Sequence, residues 1–413
     1  MTLQLAQCSV EAPVRREFLP FNRPDIGQGE IDELTETLRS GWLTTGPRTK
    51  EFERRFAEYV GVRQAIAVNS CTGGLHVALA AADVGPGDEV IVPTMTFCAT
   101  TNVVIHVGAT PVLVDVEPDT LNMDARSLEA AITARTKAAI PVHLYGHPCD
   151  MEQIGRIAKA HDLLLVEDAA HAVGAEWQGR RIGAIGAATV FSFYATKNLT
   201  TGEGGMITTD DEEYADRMRI WVLHGISRDA WKRYSAEGSW YYEVTAPGFK
   251  YNLTDLQSAL GLHQLARIET MTQRRAAIAA RYRAGLCDLP EIELPVVRGD
   301  IRHAWHLYPI RIRPELLSID RAVFIERLKD EGIGTSVHFI PLHRQPYYRV
   351  RYGLQAADFP VADAAYERLI SLPLYTRMTD EDVDDVVEAV RRVVRRNRRP
   401  IANGVTLLGE ATS

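Results

Sequence analysis

Between Ala65 and about Thr209, short β-branched apolar runs alternate with helical patterns, and nothing else in the chain restricts the fold as strongly. Strands joined through helices pair in parallel and need helices on both faces of their sheet. The predicted strands are Ala65–Val68, Glu89–Val92, Pro111–Val116, Ala138–His143, Leu163–Val166, Thr189–Phe193 and Met206–Thr208, with helices at Gly73–Ala82, Asp124–Thr133 and Met151–Ala160. After Asp255 the spacing changes to one long helix, Leu256 to Arg283, expected to connect two domains. A smaller α/β unit follows: a strand around His306–Ile312, a helix near Arg321–Glu331, a strand at Thr335–Phe339, and closing helices near Ala362–Ile370 and Asp380–Arg396. The expected division is an N-terminal segment (1–35), a large domain (36–255), the connector helix with a small C-terminal domain (256–400) and a tail (401–413).

Composition narrows the partners. Of 413 residues, 46% are hydrophobic and 24% charged, which suits a globular chain and excludes a disordered or collagen-like one. The net charge of −8, from 46 basic and 54 acidic residues, argues against nucleic acid, which demands a surplus of cations on one surface. The six arginines between Arg391 and Arg399 read as a solvated helix end whose cations suit the dipole. Five widely spaced cysteines without a CxxC pair argue against a disulfide framework and a zinc site and fit a reducing compartment. Residues 1–20 lack a long apolar stretch and no other run is long enough to span a bilayer, so the protein is expected in the cytoplasm, off the membrane and without a metal.

Ligands of open α/β sheets gather at the carboxyl ends of the strands, and four such ends carry chemistry. Asn69-Ser70-Cys71-Thr72-Gly73-Gly74 turns a strand into a helix, where free amides and a hydroxyl make a phosphate seat or an ordinary N-cap. Pro93-Thr94-Met95-Thr96-Phe97 brings an aromatic ring directly after a strand. Val166-Glu167-Asp168-Ala169-Ala170-His171 delivers carboxylates from a buried strand, and a buried Asp168 calls for a charged partner. Phe191-Ser192-Phe193-Tyr194-Ala195-Thr196-Lys197-Asn198, followed by Thr200-Thr201-Gly202-Glu203-Gly204-Gly205, puts a lysine after a buried strand and before a Gly-rich turn. Desolvation lowers an amine's pKa and makes it a nucleophile toward carbonyls. An anion seat, a flat ring, a buried acid and a pocket amine together answer the needs of pyridoxal phosphate (PLP).

These stretches, together with Leu43-Thr44-Thr45-Gly46-Pro47 and Tyr251-Asn252-Leu253-Thr254-Asp255-Leu256-Gln257, resemble the DegT/DnrJ/EryC1/StrS family of PLP-dependent aminotransferases from about Pro24 to about Val394. The resemblance implies the type I, aspartate-aminotransferase-like fold, with a large, mixed but mostly parallel sheet and a smaller C-terminal α/β domain. It makes Lys197 the lysine that joins the cofactor's aldehyde, Asp168 the partner of the pyridine nitrogen, and Phe97 a residue packed on the ring. Ser70, Ser192 and the backbone of Cys71 and Thr72 match phosphate binders, although many members have Gly at the position of Cys71. His171 stands where many carry Gln near the phenolic oxygen. Asn252 matches an Asn that reaches the phosphate of the neighbouring subunit, which implies a homodimer with shared active sites. Thr44, His306, Tyr308, His338 and His343 lie in segments that resemble substrate-facing parts of the family, as do His303 and Tyr347.

The activity so implied is transfer of an amino group from L-glutamate to a nucleotide-linked keto sugar, with Lys197 moving the proton. The turn Thr200–Gly205 resembles members that act at C4 of a 4-keto-6-deoxyhexose; a C3-specific enzyme and a PLP-binding regulator of the same fold are the alternatives. Lys197 disfavours the dehydratase branch, which replaces that lysine with His. A dinucleotide-dependent oxidoreductase or epimerase would need GxGxxG after an early strand and Tyr-x-x-x-Lys, and Tyr194 to Lys197 is one residue too short.

Overall fold

The computed structural model describes residues 12–226 and 241–400; the expected tail and the first eleven residues of the N-terminal segment lie outside them. Nine strands occupy the first half: β1 (Gln64–Val68), β2 (Glu89–Pro93), β3 (Thr110–Val114), β4 (Thr136–Ala139), β5 (Leu164–Asp168), the short pair β6 (Glu176–Trp177) and β7 (Arg180–Arg181), β8 (Ala188–Ser192) and β9 (Gly205–Thr209). Seven form one sheet in the order β1-β9-β8-β5-β4-β2-β3. β9 runs antiparallel to both neighbours while the other contacts in the sheet are parallel. The carboxyl ends of β1, β2, β4, β5 and β8, and the start of β9, therefore share one edge.

The Cys71–Ala81 helix is buried at every position except Thr72, as expected of a helix that is apolar all round. Gly74 lets it lie directly on β8, since a Cβ there would come within 2.5 Å of Val190. The Asp255–Leu286 helix starts at a capping box in which Thr254 and Gln257 satisfy one another's ends. Its Leu262, Leu265, Ile268 and Met271 pack with Phe52, Phe56, Phe191 and Phe193, and further along Ile278, Tyr282 and Leu286 join the C-terminal core with Ile310 and Phe324. Buried Asp255 accepts the amides of Gly46, Arg48 and Thr49, which caps the Pro47–Val60 helix and pins the preceding loop.

In the C-terminal half β10 (Ile292–Glu293), β12 (Tyr308–Ile312) and β13 (Leu369–Leu372) form an antiparallel sheet in the order β10-β12-β13, while β11 (Ile301–Arg302) crosses over to pair with β6. Two sequence expectations fail here. The helix near Ala362–Ile370 ends at Tyr366, and Leu369–Leu372 is a strand buried at all four positions; a short, fully apolar run carries no periodicity to separate the two states. The strand expected at Thr335–Phe339 makes only one bridge, Ser336 with Ser371, because the chain then turns over the cavity described below, where Tyr145 donates its hydroxyl to the His338 carbonyl. The boundary expected after residue 35 falls inside the Gln28–Ser40 helix, and Leu19 ahead of it bridges Ile333 and belongs to the C-terminal core. The arginines at the end of the last helix, Asp380–Asn397, and just beyond it are engaged: Arg391 with Asp288, Arg392 and Arg396 with Glu331, Arg395 with Glu388, Arg398 with Glu291, and Arg399 with the Leu317 carbonyl.

Candidate active site

The shared strand edge opens into a cavity of about 460 Å³, within the range of small-molecule sites. Ser70, Cys71, Thr72, Phe97, Asp168, His171, Ser192, Lys197, His306 and His338 all line it.

β1 ends at Val68, and Ser70 caps the next helix by accepting the Gly73 amide at 3.0 Å. The hydroxyl of Ser70 is thus spent on the cap, while helix geometry leaves the Cys71 and Thr72 amides without helical partners at the positive end of the dipole. Gly205, at the start of β9, presses against this turn: a Cβ there would meet the Cys71 nitrogen at 2.8 Å and the Phe191 carbonyl oxygen at 2.7 Å. Only glycine allows the strand so close to the seat. Ser192, the last residue of β8, is buried beside it.

Asp168 ends β5 and is buried. One of its oxygens accepts the Thr100 hydroxyl at 2.8 Å, the other the Ala170 amide at 3.1 Å, with the Cys71 sulfur 3.8 Å away. Burial pushes its pKa up, against the opposing pull of these donors and of Lys197. The charged partner expected from the sequence is not an ion pair: among the described residues no cation lies within salt-bridge distance of this carboxylate. Its neighbour Glu167 points to the opposite face, as strand alternation requires, and takes His143, the Gly186 amide and the Thr189 hydroxyl. His143 accepts the Cys149 amide at Nδ1, so it carries its proton on Nε2, toward Glu167.

Lys197 closes a turn by donating its amide to Tyr194 at 2.9 Å, which places it half-buried in the cavity wall. Burial lowers its pKa from 10.5 to about 8, although Cys71 and Asp168 pull the other way. Burial likewise pushes His171 and His306 well below 6.5 and His338 to about 4, with Lys197 adding to the effect, so the imidazoles are neutral hydrogen-bonding groups. Phe97 stands at the mouth, 58% exposed, with Phe339 5.8 Å away.

Six sequence candidates lie elsewhere, two of them His303, which accepts the Trp305 amide at 2.9 Å and stacks on that indole, and Tyr347, which is exposed on the Pro346–Tyr352 helix. Tyr308 is wholly buried in the C-terminal core against Tyr282, because its position on β12 faces the small unit's interior. His343 bonds Thr94 at 2.8 Å and Asp363 at 3.1 Å and stacks on Phe359, a supporting place behind the wall. Asn252 and Thr44 are outside the cavity; Asn252 donates to Thr45 at 2.7 Å, and the Thr44 carbonyl accepts the Asp255 amide. Conversely, Phe21, Asn22, Thr96, Glu203 and Phe339 line the cavity without having been singled out for it. Nor was Thr100, which holds Asp168, although a hydroxyl in the first turn after β2 can face back toward the strand ends.

Thr100 gives its proton to Asp168 and stands 2.7 Å from the Thr96 hydroxyl, which therefore donates to it. A Thr100→Val variant should lower kcat about tenfold, the worth of one hydrogen bond to a charged group, with little change in melting temperature. Steady-state kinetics and a thermal melt check this.

A buried carboxylate that lacks an ionic partner, a partly neutral amine and an open helix end face one another across this space. That donor set fits PLP: Asp168 would hold the pyridine nitrogen, Lys197 the aldehyde, and Ser192 with the Cys71 and Thr72 amides the phosphate. Comparison with known proteins agrees. The family model for the DegT/DnrJ/EryC1/StrS aminotransferase family matches residues 24–391. The spore coat polysaccharide biosynthesis protein SpsC of Bacillus subtilis is 55% identical over 382 residues, 92% of this chain and 98% of that protein. Among solved structures, Spr1654 of Streptococcus pneumoniae in its PMP form superposes with a TM-score of 0.86 at 40% identity, covering 92% of this chain and 99% of that one. Helicobacter pylori PseC, an aminotransferase involved in the biosynthesis of pseudoaminic acid, gives 0.85 at 29% identity over 92% of this chain and all of that one. The chain accordingly belongs to the DegT/DnrJ/EryC1/StrS aminotransferase family and is a PLP-dependent sugar aminotransferase.

Proposed function

We propose that the protein transfers an amino group from L-glutamate to C4 of a nucleotide-linked 4-keto-6-deoxyhexose, as a cytoplasmic homodimer with shared active sites. The observation that carries this reading is the joint placement of the Lys197 amine and the Asp168 carboxylate on one cavity of about 460 Å³. Bound PLP supplies an electron sink for the substrate carbon. Asp168, desolvated and hydrogen-bonded, holds positive charge on the pyridine nitrogen. Lys197, with its pKa near 8, takes a proton from the reacting carbon and returns it, since its working range brackets neutrality.

The remaining wall suits a sugar. His171, His306 and His338 are neutral donors and acceptors for hydroxyl groups, and Phe97, Tyr194 and Phe339 offer flat apolar faces. The name of SpsC refers to polysaccharide biosynthesis and that of PseC to the biosynthesis of pseudoaminic acid, which supports a carbohydrate acceptor. The choice of C4 rests on the Thr200–Gly205 turn, which packs against β8 and β1 at the edge of the cavity. Asn252 and Thr44 stand outside this chain's own cavity, beside the exposed apolar Trp42 and Leu43, a place suited to residues that complete a neighbour's site. No helix of the described residues is long and apolar enough to cross a membrane, and the buried thiols of Cys71 and Cys149 suit a reducing compartment.

Paired 3-keto and 4-keto nucleotide sugars offered to the glutamate-loaded enzyme, with the amino product read by mass, test the proposal. Amination of the 4-keto compound is the expected result, and exclusive use of the 3-keto compound reverses the choice of carbon.

A further inference from the structure

Arg275, midway along the Asp255–Leu286 helix, is only 3% exposed and, among the described residues, pairs with no carboxylate. A buried cation is costly unless its protons are matched. One end of its guanidinium is matched by backbone instead: Nη1 donates to the carbonyls of Trp305 at 3.2 Å, His306 at 3.4 Å and Leu374 at 3.1 Å, while the buried Nε has no partner among the described residues. Trp305 sits in the left-handed region at φ 47°, which a tryptophan does not hold unaided. The next two amides, of His306 and Leu307, both donate to the Tyr145 carbonyl, so the peptide is gripped from both sides.

The side chain at this point has a defined tautomer. Asn198 donates its amide to the Ala304 carbonyl at 2.8 Å, so its oxygen faces His306 Nδ1 at 3.1 Å and accepts from it. His306 thus keeps its proton on Nδ1 and turns Nε2 into an acceptor. His171, whose ring lies 4.3 Å away, accepts the Tyr145 amide at Nδ1 and so carries its proton on Nε2. The wall presents an acceptor and a donor side by side.

We propose that Arg275 is a positioning residue that clamps the Trp305–His306 backbone, so that His306 faces the cavity as a hydrogen-bond acceptor for a sugar hydroxyl beside the donor edge of His171. The sugar part rests on the function proposed above; the clamp does not. The charged and titratable groups facing His306 are His171, Lys197, Arg275 and His338, and each disfavours its protonation. The acceptor is therefore maintained across the working pH range.

The test uses the holoenzyme with Arg275→Met, Arg275→Lys and His306→Phe, and the Arg275→Met/His306→Phe double variant. Arg275→Met and His306→Phe should each raise KM for the keto sugar about tenfold, one hydrogen bond's worth, and slow conversion of the bound cofactor by glutamate by clearly less than that. The double variant should be no worse than the worse single one. Arg275→Lys, which keeps the charge without the fork, should fall between and serves if the Met variant does not fold. Additive losses, or an equal loss in the glutamate half, overturn the clamp. Histidine-labelled ¹⁵N spectra judge it without any sugar: His306 should hold its proton on Nδ1 in the native protein and show mixed tautomers in the Arg275 variants, and an unchanged tautomer overturns it. A native enzyme that aminates no keto sugar while the spectra behave as expected would refute the function and leave the clamp standing.

Discussion

A Lys197→Ala protein is expected to fold, to lose the visible absorbance of lysine-bound cofactor, and to lose turnover by at least about 10³-fold, because in the proposed function one side chain would serve both as nucleophile and as proton carrier. Retention of either property would remove Lys197 from the reaction. The same amine sets a pH dependence. With a pKa of about 8, about a tenth of it is neutral at pH 7, so the rate at which the apoprotein takes up PLP should rise about tenfold per pH unit below 8 and level off above. Stability follows with the opposite cost. The folded pKa is depressed from 10.5, so the contribution of this group is fully present above 10.5 and is lost as pH falls through about 8. At pH 7 the apo form of Lys197→Ala should therefore melt above the native apoprotein, and a scan of melting temperature against pH checks the sign.

An Asp168→Asn protein is expected to lose about 10²- to 10³-fold in kcat, comparable to removing a preorganised electrostatic partner of a reacting group, and to bind PLP more weakly. Its apo form should nevertheless be more stable than the native one at neutral pH. The folded pKa of Asp168 is raised by burial, so whatever stability the group contributes is present below 3.8 and lost as pH rises through the folded value. Asparagine avoids that cost, and the Thr100 hydroxyl can rotate to meet it. Unchanged kcat together with a lower apo melting temperature would mean that Asp168 serves the fold and not the cofactor.

The proximity of the two residues was legible for a single reason. Asp168 and Lys197 follow buried apolar strands, and strand ends in a parallel sheet converge by geometry, so their meeting could be expected from order along the chain. Ser70 showed the limit of that reasoning, since hydroxyls that cap helices and hydroxyls that bind phosphate share one local pattern, and the structure assigns its oxygen to Gly73. Among the C-terminal histidines, His306 and His338 line the cavity while His343 supports Thr94 from behind. Their sequence surroundings do not distinguish these fates, because which side of a loop faces the large sheet depends on how the two halves dock.

What the chain alone dictates is the mostly parallel sheet, the connector helix, and the chemistry waiting at each strand end, since periodicity acts within a few residues of itself. Tertiary structure decided what depends on contacts between distant segments. It turned Leu369–Leu372 into a strand by giving it β12 as a partner, sent Tyr308 into the core, brought Thr100 onto Asp168 across 68 residues, and placed Arg275 under the loop that carries His306. Those pairings are set by burial and by the need of every buried polar group for a partner, conditions that only the assembled chain can satisfy.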